Sequence, residues 1–460
     1  LTLHRSSDML NSNKKHSFKY ETRGQLVEDA HGGDEMKYLT RRVLVAAAFV
    51  LAAGPAAAQQ KTITWITHPV IYDVTGKGEL LKKFTEETGI KVEVTTFPTD
   101  ALAQRIPAEF IAGSDAYDVV TMANFWSERL TRYVEPLEPY LAKKPVSGGI
   151  EAFSEGFVRQ FRIPLTPEGK LYAIPLRMSV DILFYRKDIL EQAGVAVPKT
   201  LDEYYAAAKK LTKDTDGDGK TDIYGAVYQG IQSNQGLYDW YDWAAPLGVD
   251  ILTSDGKKAA FNTPQAVKAT EMRRRFVAEG LVNPGVLSYS FDDAISAMAQ
   301  GKAAMSIMFD AYWSQLENKE KSQVAGKIGY AAAPRDPSVS DAYFGRGWGL
   351  FINGKSKNKD AAWEFISWLT APEQQLWMAV NHGNPISRPA VAAHPDFVAK
   401  VPVAPALTEA LPRARTMPVS AEFVRVQDIL VKHISAAQAG TVSARDALAA
   451  AEREVAPILK

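Results

Sequence analysis

An α/β protein of two packed domains is what the sequence predicts, and three observations carry it. Short apolar runs alternate with amphipathic segments from Lys61 onward, the order that lays helices over a sheet. A second series of the same kind begins near Leu171, after the first has run through Tyr117 to Met122. At 460 residues the chain outgrows a single hydrophobic core, and its 46% hydrophobic and 23% charged composition is that of a globular protein.

The elements follow from local pattern. KTITWIT, from Lys61 to Thr67, reads as a strand. Lys77 to Thr88 reads as a helix with Leu80, Leu81 and Phe84 on one face and Gly89 as its stop. IKVEVTT and YDVVTM supply two further strands. In the second series SVDILFYR is a strand, and LDEYYAAAKKLT is a helix that Thr200 caps. IYGAVYQ, AAMSIMF and AYFGRGWGLFI are predicted strands, and Asp360 to Leu369 and Pro372 to Val380 are predicted helices. SARD, from Ser443, has the form of a capping box opening a final helix.

The region before Lys61 reads as an address. From Met36 to Ala58 the order is Lys37, Arg41 and Arg42, an apolar run from Val43 to Ala53, then Ala56-Ala57-Ala58, which is the order of a signal peptide. A spanning helix needs roughly 20 apolar residues, so the run is too short to anchor the chain. Cleavage is expected after Ala58, with the mature chain in the periplasm. Thr40-Arg41-Arg42 has a weak likeness to a twin-arginine signal, and the general secretory route is the default. Residues 1–35 are polar and aperiodic and are expected to be a mis-annotated extension; Gly32-Gly33-Asp34-Glu35 before Met36 permits codons of a translated ribosome-binding site.

Charge and motif exclude several functions. Lys+Arg and Asp+Glu both number 53, so no net field draws nucleic acid to the chain. The absence of cysteine excludes disulfides, thiol catalysis and a lipidated cysteine anchor. No G-x-S-x-G elbow, H-E-x-x-H helix, P-loop or dinucleotide fingerprint is present, and no segment advertises the paired carboxylates of a glycosidase. The chain is expected to be no enzyme. A secreted carbohydrate-active enzyme is the rival from another class.

From Gly169 to Thr212 the sequence GKLYAIPLRMSVDILFYRKDILEQAGVAVPKTLDEYYAAAKKLT resembles the bacterial family 1 extracellular solute-binding proteins, the maltose-binding-protein-like group. QGKAAMSIMFDAYW is similar to that family's second segment. SKNKDAAWEFISWLTAPEQQ, followed by NHGNPISRPAV, is similar to its third. The resemblance implies a two-lobed periplasmic-binding-protein fold, type II-like, with a ligand cleft between lobes joined by hinge crossings. It also implies a monomeric component of an ABC importer that closes on a small solute and delivers it to a membrane permease. Crossings are expected near Ile174 to Arg177, Gly329 to Ala333 and Asn384 to Arg388. These divide the chain into an N-terminal lobe of 59–174 plus 331–384 and a C-terminal lobe of 178–328 plus 388–460.

A sugar or polyol offers hydroxyls at its edges and C–H groups on its faces, so its site needs planar hydrogen-bonding side chains and aromatic surfaces in loops. Candidates are Trp65 and His68 after the first strand, Asn124 and Trp126 after YDVVTM, and Arg177 at the first crossing. Trp240 and Trp243 in NQGLYDWYDW, Asp310, Tyr312 and Trp313 after AAMSIMF, and Arg346 and Trp348 in FGRGWGL complete the set. Gly347 and Gly349 flank Trp348 and permit close approach. Each tryptophan has a core reading beside this one, and His68 a turn-capping one. Asp239 and Asp242 beside Trp240 leave a polyamine or another small solute as the alternative ligand.

DTDGDGKTD places Asp214, Asp216, Asp218 and Asp222 at positions 1, 3, 5 and 9 of a loop, with Gly219 at 6 and the Lys220 carbonyl at 7. That is the oxygen-donor spacing of a calcium loop. Gly225 stands where the usual bidentate glutamate would be, so a structural Ca2+ site is expected, not a sensor.

Overall fold

A computed structural model describes residues 60–123, 130–164, 166, 168–417 and 422–459. The expected extension and signal peptide lie outside the described residues.

Strand β1 (Thr62–Thr67) is followed by α1 (Pro69–Asp73) and α2 (Glu79–Thr88), then by β2 (Lys91–Thr96), α3 (Thr99–Ile111) and β3 (Val119–Ala123). β1 lies parallel to both β2 and β3, the result of the predicted βα windings. α2 buries Leu80, Leu81 and Phe84 and stops where Gly89 takes a φ of 73°. It starts two residues later than the pattern predicts, because Lys77 and Gly78 both have positive φ and turn the chain first.

A two-stranded ribbon of β4 (Arg162–Ile163) and β5 (Lys170–Leu171) leads into β6 (Ile174–Arg186), a strand of 13 residues. α4 (Leu201–Leu211) opens at Thr200, whose side chain and Glu203 form a reciprocal capping box. Next come α5 (Asn234–Ala244), α6 (Pro264–Ala278), α7 (Phe291–Ala299), β7 (Met305–Phe309), β8 (Ile328–Ala332) and β9 (Tyr343–Ile352). The chain closes with α8 (Lys359–Leu369), α9 (Pro372–His382), β10 (Ala414–Arg415), α10 (Phe423–Gln438) and α11 (Ala444–Val455). Ser443 caps α11 by accepting from Asp446 N–H. No helix among the described residues is long and apolar enough to cross a membrane.

The sheet order β2-β1-β3-β9-β6-β7, with β10 on β9 and β8 on β6, divides at its two long strands. β9 pairs β3 through Trp348–Ile352 and β10 at Tyr343 and Phe344. β6 pairs β9 through Ile174–Val180, then β7 and β8 through Asp181–Arg186. Both strands therefore run from one half of a two-lobed α/β fold into the other. The first expected crossing lies on β6. Gly329 to Ala333 is not the second: these residues belong almost wholly to β8, which pairs the far half of β6 on the edge opposite β7, and β9 is the strand that passes between the halves. Asn384 to Arg388 lies against the start of β6, where Ser387 Oγ donates to the Pro175 carbonyl at 3.1 Å.

IYGAVYQ is not a strand. It makes only single bridges, Ile223 with Lys213 and Tyr224 with Ala303, and Gly225 packs so close to the Ala208 carbonyl of α4 that a Cβ would lie 2.1 Å from its oxygen.

Candidate ligand site

The midpoints of β6 and β9 lie side by side, and their pairing builds the floor of a cavity. Arg177 stands opposite Trp348, and Ser179 opposite Arg346. Residues two apart share a strand face, so all four side chains belong to one surface. A bulge between Pro175 and Arg177 makes this possible. One extra residue on β6 shifts its parity, so Leu176 is buried in the core and Arg177 joins Trp348. Gly347, between Arg346 and Trp348, is required by the close strands: a Cβ there would lie 2.1 Å from the Arg177 carbonyl oxygen.

These four residues line a cavity of about 290 Å³. Ala123 at the end of β3 reaches it from one half of the fold. Asn234 and Tyr238 at the start of α5, Phe291 at the start of α7, and Phe309, Ala311 and Tyr312 after β7 reach it from the other.

Arg346 is 6% exposed and its Nη1 pairs with Asp181 Oδ2 at 2.5 Å. Its guanidinium lies 3.7 Å from the centre of the Phe309 ring and 4.4 Å from that of Phe344, which fixes its plane. Arg177 donates to Asn384 Oδ1 at 3.1 Å, tying the first crossing to the third. Burial lowers its pKa to about 10, against the pull of Asp310 and Tyr312, and it remains a cation. Asp310 is 3% exposed, and burial raises its carboxyl to about 7, opposed by the Ser179 hydroxyl and Arg177.

His68 stands beside the cavity, its ring centre 5.7 Å from that of Trp348. Its Nδ1 accepts from Val70 N–H and caps α1, and burial with nearby Arg177 lowers its pKa, so it is neutral at pH 7. Trp313 is half-buried after β7 and is absent from the cavity lining. Asn124 and Trp126 lie outside the described residues.

Three of the candidate tryptophans belong to the core. Trp65 is fully buried, donates Nε1–H to Thr121 Oγ1 at 2.7 Å and meets Phe365 edge-on. Trp240 is fully buried and donates to Thr270 Oγ1 at 2.9 Å, while Trp243 packs between Phe276 and Tyr204. The same helix reaches the cavity through Asn234 and Tyr238, an i,i+4 pair that aromatic density alone does not reveal. Asp239 and Asp242 are buried as well, which removes the exposed carboxylates a polyamine would need.

In the Asp-rich loop, one carboxylate oxygen from each of Asp214, Asp216 and Asp218 lies within 4.8 Å of the others, all three residues being exposed. Asp214 accepts from Gly217 and Gly219 N–H, and those hydrogen bonds hold its carboxyl low. Asp222 is not in that group and accepts from Thr215 N–H and Oγ1–H. The Lys220 ammonium pairs with Asp218 at 3.1 Å. Three of the four expected carboxylates thus converge.

The sequence pattern described as bacterial extracellular solute-binding protein matches residues 74–376. A Brucella abortus protein named as a binding protein is 28% identical over 357 residues, 76% of this chain and 82% of that one. The mannitol-binding protein of Pseudomonas aeruginosa is 25% identical over 418 residues, 83% and 89% of the two chains. Among solved structures, an ABC transporter solute-binding protein of Agrobacterium radiobacter in complex with ribitol superposes with a TM-score of 0.70 at 26% identity, covering 86% of this chain and 98% of that one. These are binding proteins and not enzymes. Carrying the family pattern over most of its described length, and the same two-lobed fold, this chain belongs to the bacterial extracellular solute-binding proteins.

Proposed function

We propose that the chain is the exported binding component of an ABC uptake system and takes a sugar, oligosaccharide or polyol into the cavity between β6 and β9. The observation that carries this reading is the lining. Trp348 and Tyr312 offer aromatic faces, and Arg177, Ser179, Arg346 and Asn234 offer planar or hydroxyl hydrogen-bonding groups; the two lining cations are balanced from behind, Arg346 by Asp181 and Arg177 by Asp310. The ribitol- and mannitol-binding relatives support the same class of solute. Met36 to Ala58 acts as the signal for export to the periplasm, and the mature chain works as a monomer whose lobes close on ligand before it meets the permease. In this reading the second crossing between the lobes is β9, in place of Gly329 to Ala333.

A thermal-shift screen of the mature chain against ribitol, D-mannitol, mono- and disaccharides, amino acids and polyamines tests the reading. A saturable rise in Tm with a polyol or sugar supports it. A rise with an amino acid or polyamine alone overturns the solute class, and turnover of an oligosaccharide overturns the binding role.

We further propose that Asp214, Asp216 and Asp218 hold a structural Ca2+, on the strength of their convergence. Hard carboxylate oxygens suit that cation, and Lys220 would contribute its backbone carbonyl. Asp222 must release Thr215 to join them.

A further inference from the structure

Beneath the cavity lies a cluster of carboxyls that none of the ligand contacts uses. Asp242, on α5, is 3% exposed, and neither of its carboxyl oxygens meets a donor. Asp181, on β6, is 2% exposed; its Oδ2 pairs with Arg346, and its Oδ1 meets no donor. Yet the two carboxyls are in hydrogen-bonding contact with each other. Two carboxylates are acceptors only, so such a contact between buried groups calls for a proton between them.

Asp239, one helical turn before Asp242, shows the contrast. Its Oδ1 pairs with the buried Arg273 and its Oδ2 accepts from Gln229 N–H, so both oxygens are satisfied as an anion. The charges facing Asp242 are Asp181 from β6, Arg346 from β9, and Asp239 from its own helix. Behind these stand Arg273 from α6 against Asp239, and Asp310 with Tyr312 after β7 against Asp181, with Arg177 against Asp310. Arg346 and Arg273 are each taken by Asp181 and Asp239, which leaves Asp242 without a cation. Burial first, and then the Asp181 charge, push its carboxyl well above the usual range.

We propose that Asp242 stands as a neutral carboxylic acid that donates its proton to Oδ1 of Asp181, making it a positioning residue for Arg346 on the cavity floor. With Oδ1 engaged by Asp242, Oδ2 of Asp181 is fixed toward the guanidinium. Asp181 then remains the single anion that Arg346 needs. The consequence for ligand binding rests on the sugar-or-polyol reading. The proton does not, and the ligand-free chain tests it.

Denaturant unfolding of the ligand-free mature chain and of its Asp242→Asn variant, from about pH 5 to about pH 8, is the experiment. The amide keeps a donor toward Asp181 but cannot ionise. A folded Asp242 that retains its proton, against an unfolded one that releases it, makes the unfolding constant of the wild type rise about tenfold per pH unit relative to the variant. A ratio that stays flat with pH overturns the proposal. A second measurement needs no variant: the infrared spectrum of the wild type at about pH 8, where Asp310, near 7, and Asp239, near 6, are mostly ionised, should retain a protonated-carboxyl band. Its absence overturns the proposal equally.

Discussion

Arg177 on β6 and Trp348 on β9 are directly opposed across an antiparallel pair, and the bulge at Leu176 is what brings them to the same face. The pair joins a cation to an aromatic surface at the point where both strands pass from one half of the fold to the other. Trp348 is half-buried, so its indole can cover the face of a sugar or polyol while packed by its neighbours. Trp348→Ala should raise the Kd for a bound polyol roughly thirtyfold, about 2 kcal/mol, as expected for an aromatic anchor. Calorimetric titration of the variant and the wild type with the same solute reads this directly; an unchanged Kd would remove Trp348 from the site.

Gly347→Ala should damage the same site through the backbone. Its Cβ would meet the Arg177 carbonyl oxygen, an atom that cannot move without separating the strands. A loss of about 1 to 3 kcal/mol of stability is expected, with weaker solute binding because Arg177 is displaced. Denaturant unfolding with a parallel titration checks both.

How much of this was legible beforehand varies with distance along the chain. Strands β1, β3, β6, β7 and β9 announce themselves as apolar runs, and Arg177, Tyr312, Arg346 and Trp348 stand on or beside them at the cavity. The tryptophans of the core misled because aromatic density is the same in a core and a cleft. What distinguishes Trp65 and Trp240 is a threonine partner, Thr121 or Thr270, that is 56 or 30 residues away. Ser179 was hidden because its role depends on a bulge, and a bulge depends on register with β9. Gly329 to Ala333 misled as a crossing because a strand that pairs within one half and a strand that spans both have the same composition.

Asp310 gives stability a pH dependence. Its folded carboxyl titrates near 7, above the roughly 3.9 of an unfolded aspartate, so the folded chain holds a proton that the unfolded chain releases. The stabilisation is complete below about pH 4 and is lost as pH climbs through about 7. Asp310→Asn should therefore gain on the wild type by an amount on the order of 4 kcal/mol across that window. Thermal melts of both proteins at a series of pH values would show it, and parallel Tm curves would refute it.

Calcium should act on the loop and leave the cavity unaffected. Adding Ca2+ at about a hundred times its Kd to chelator-treated protein should stabilise it by about 2.7 kcal/mol, and Asp214→Asn combined with Asp216→Asn should abolish the gain while leaving solute affinity unchanged. No calcium heat and no shift in Tm would mean that the loop is held by its own turns alone.

The surface shared by β6 and β9 is the proposed seat of the sugar or polyol. Isothermal titration of the mature wild type and of Arg346→Ala with the solute that gives the largest thermal shift tests it most directly. One-to-one saturable binding by the wild type, weakened at least tenfold, about 1.4 kcal/mol, in the variant, is the predicted result. Binding that the variant retains in full would contradict it.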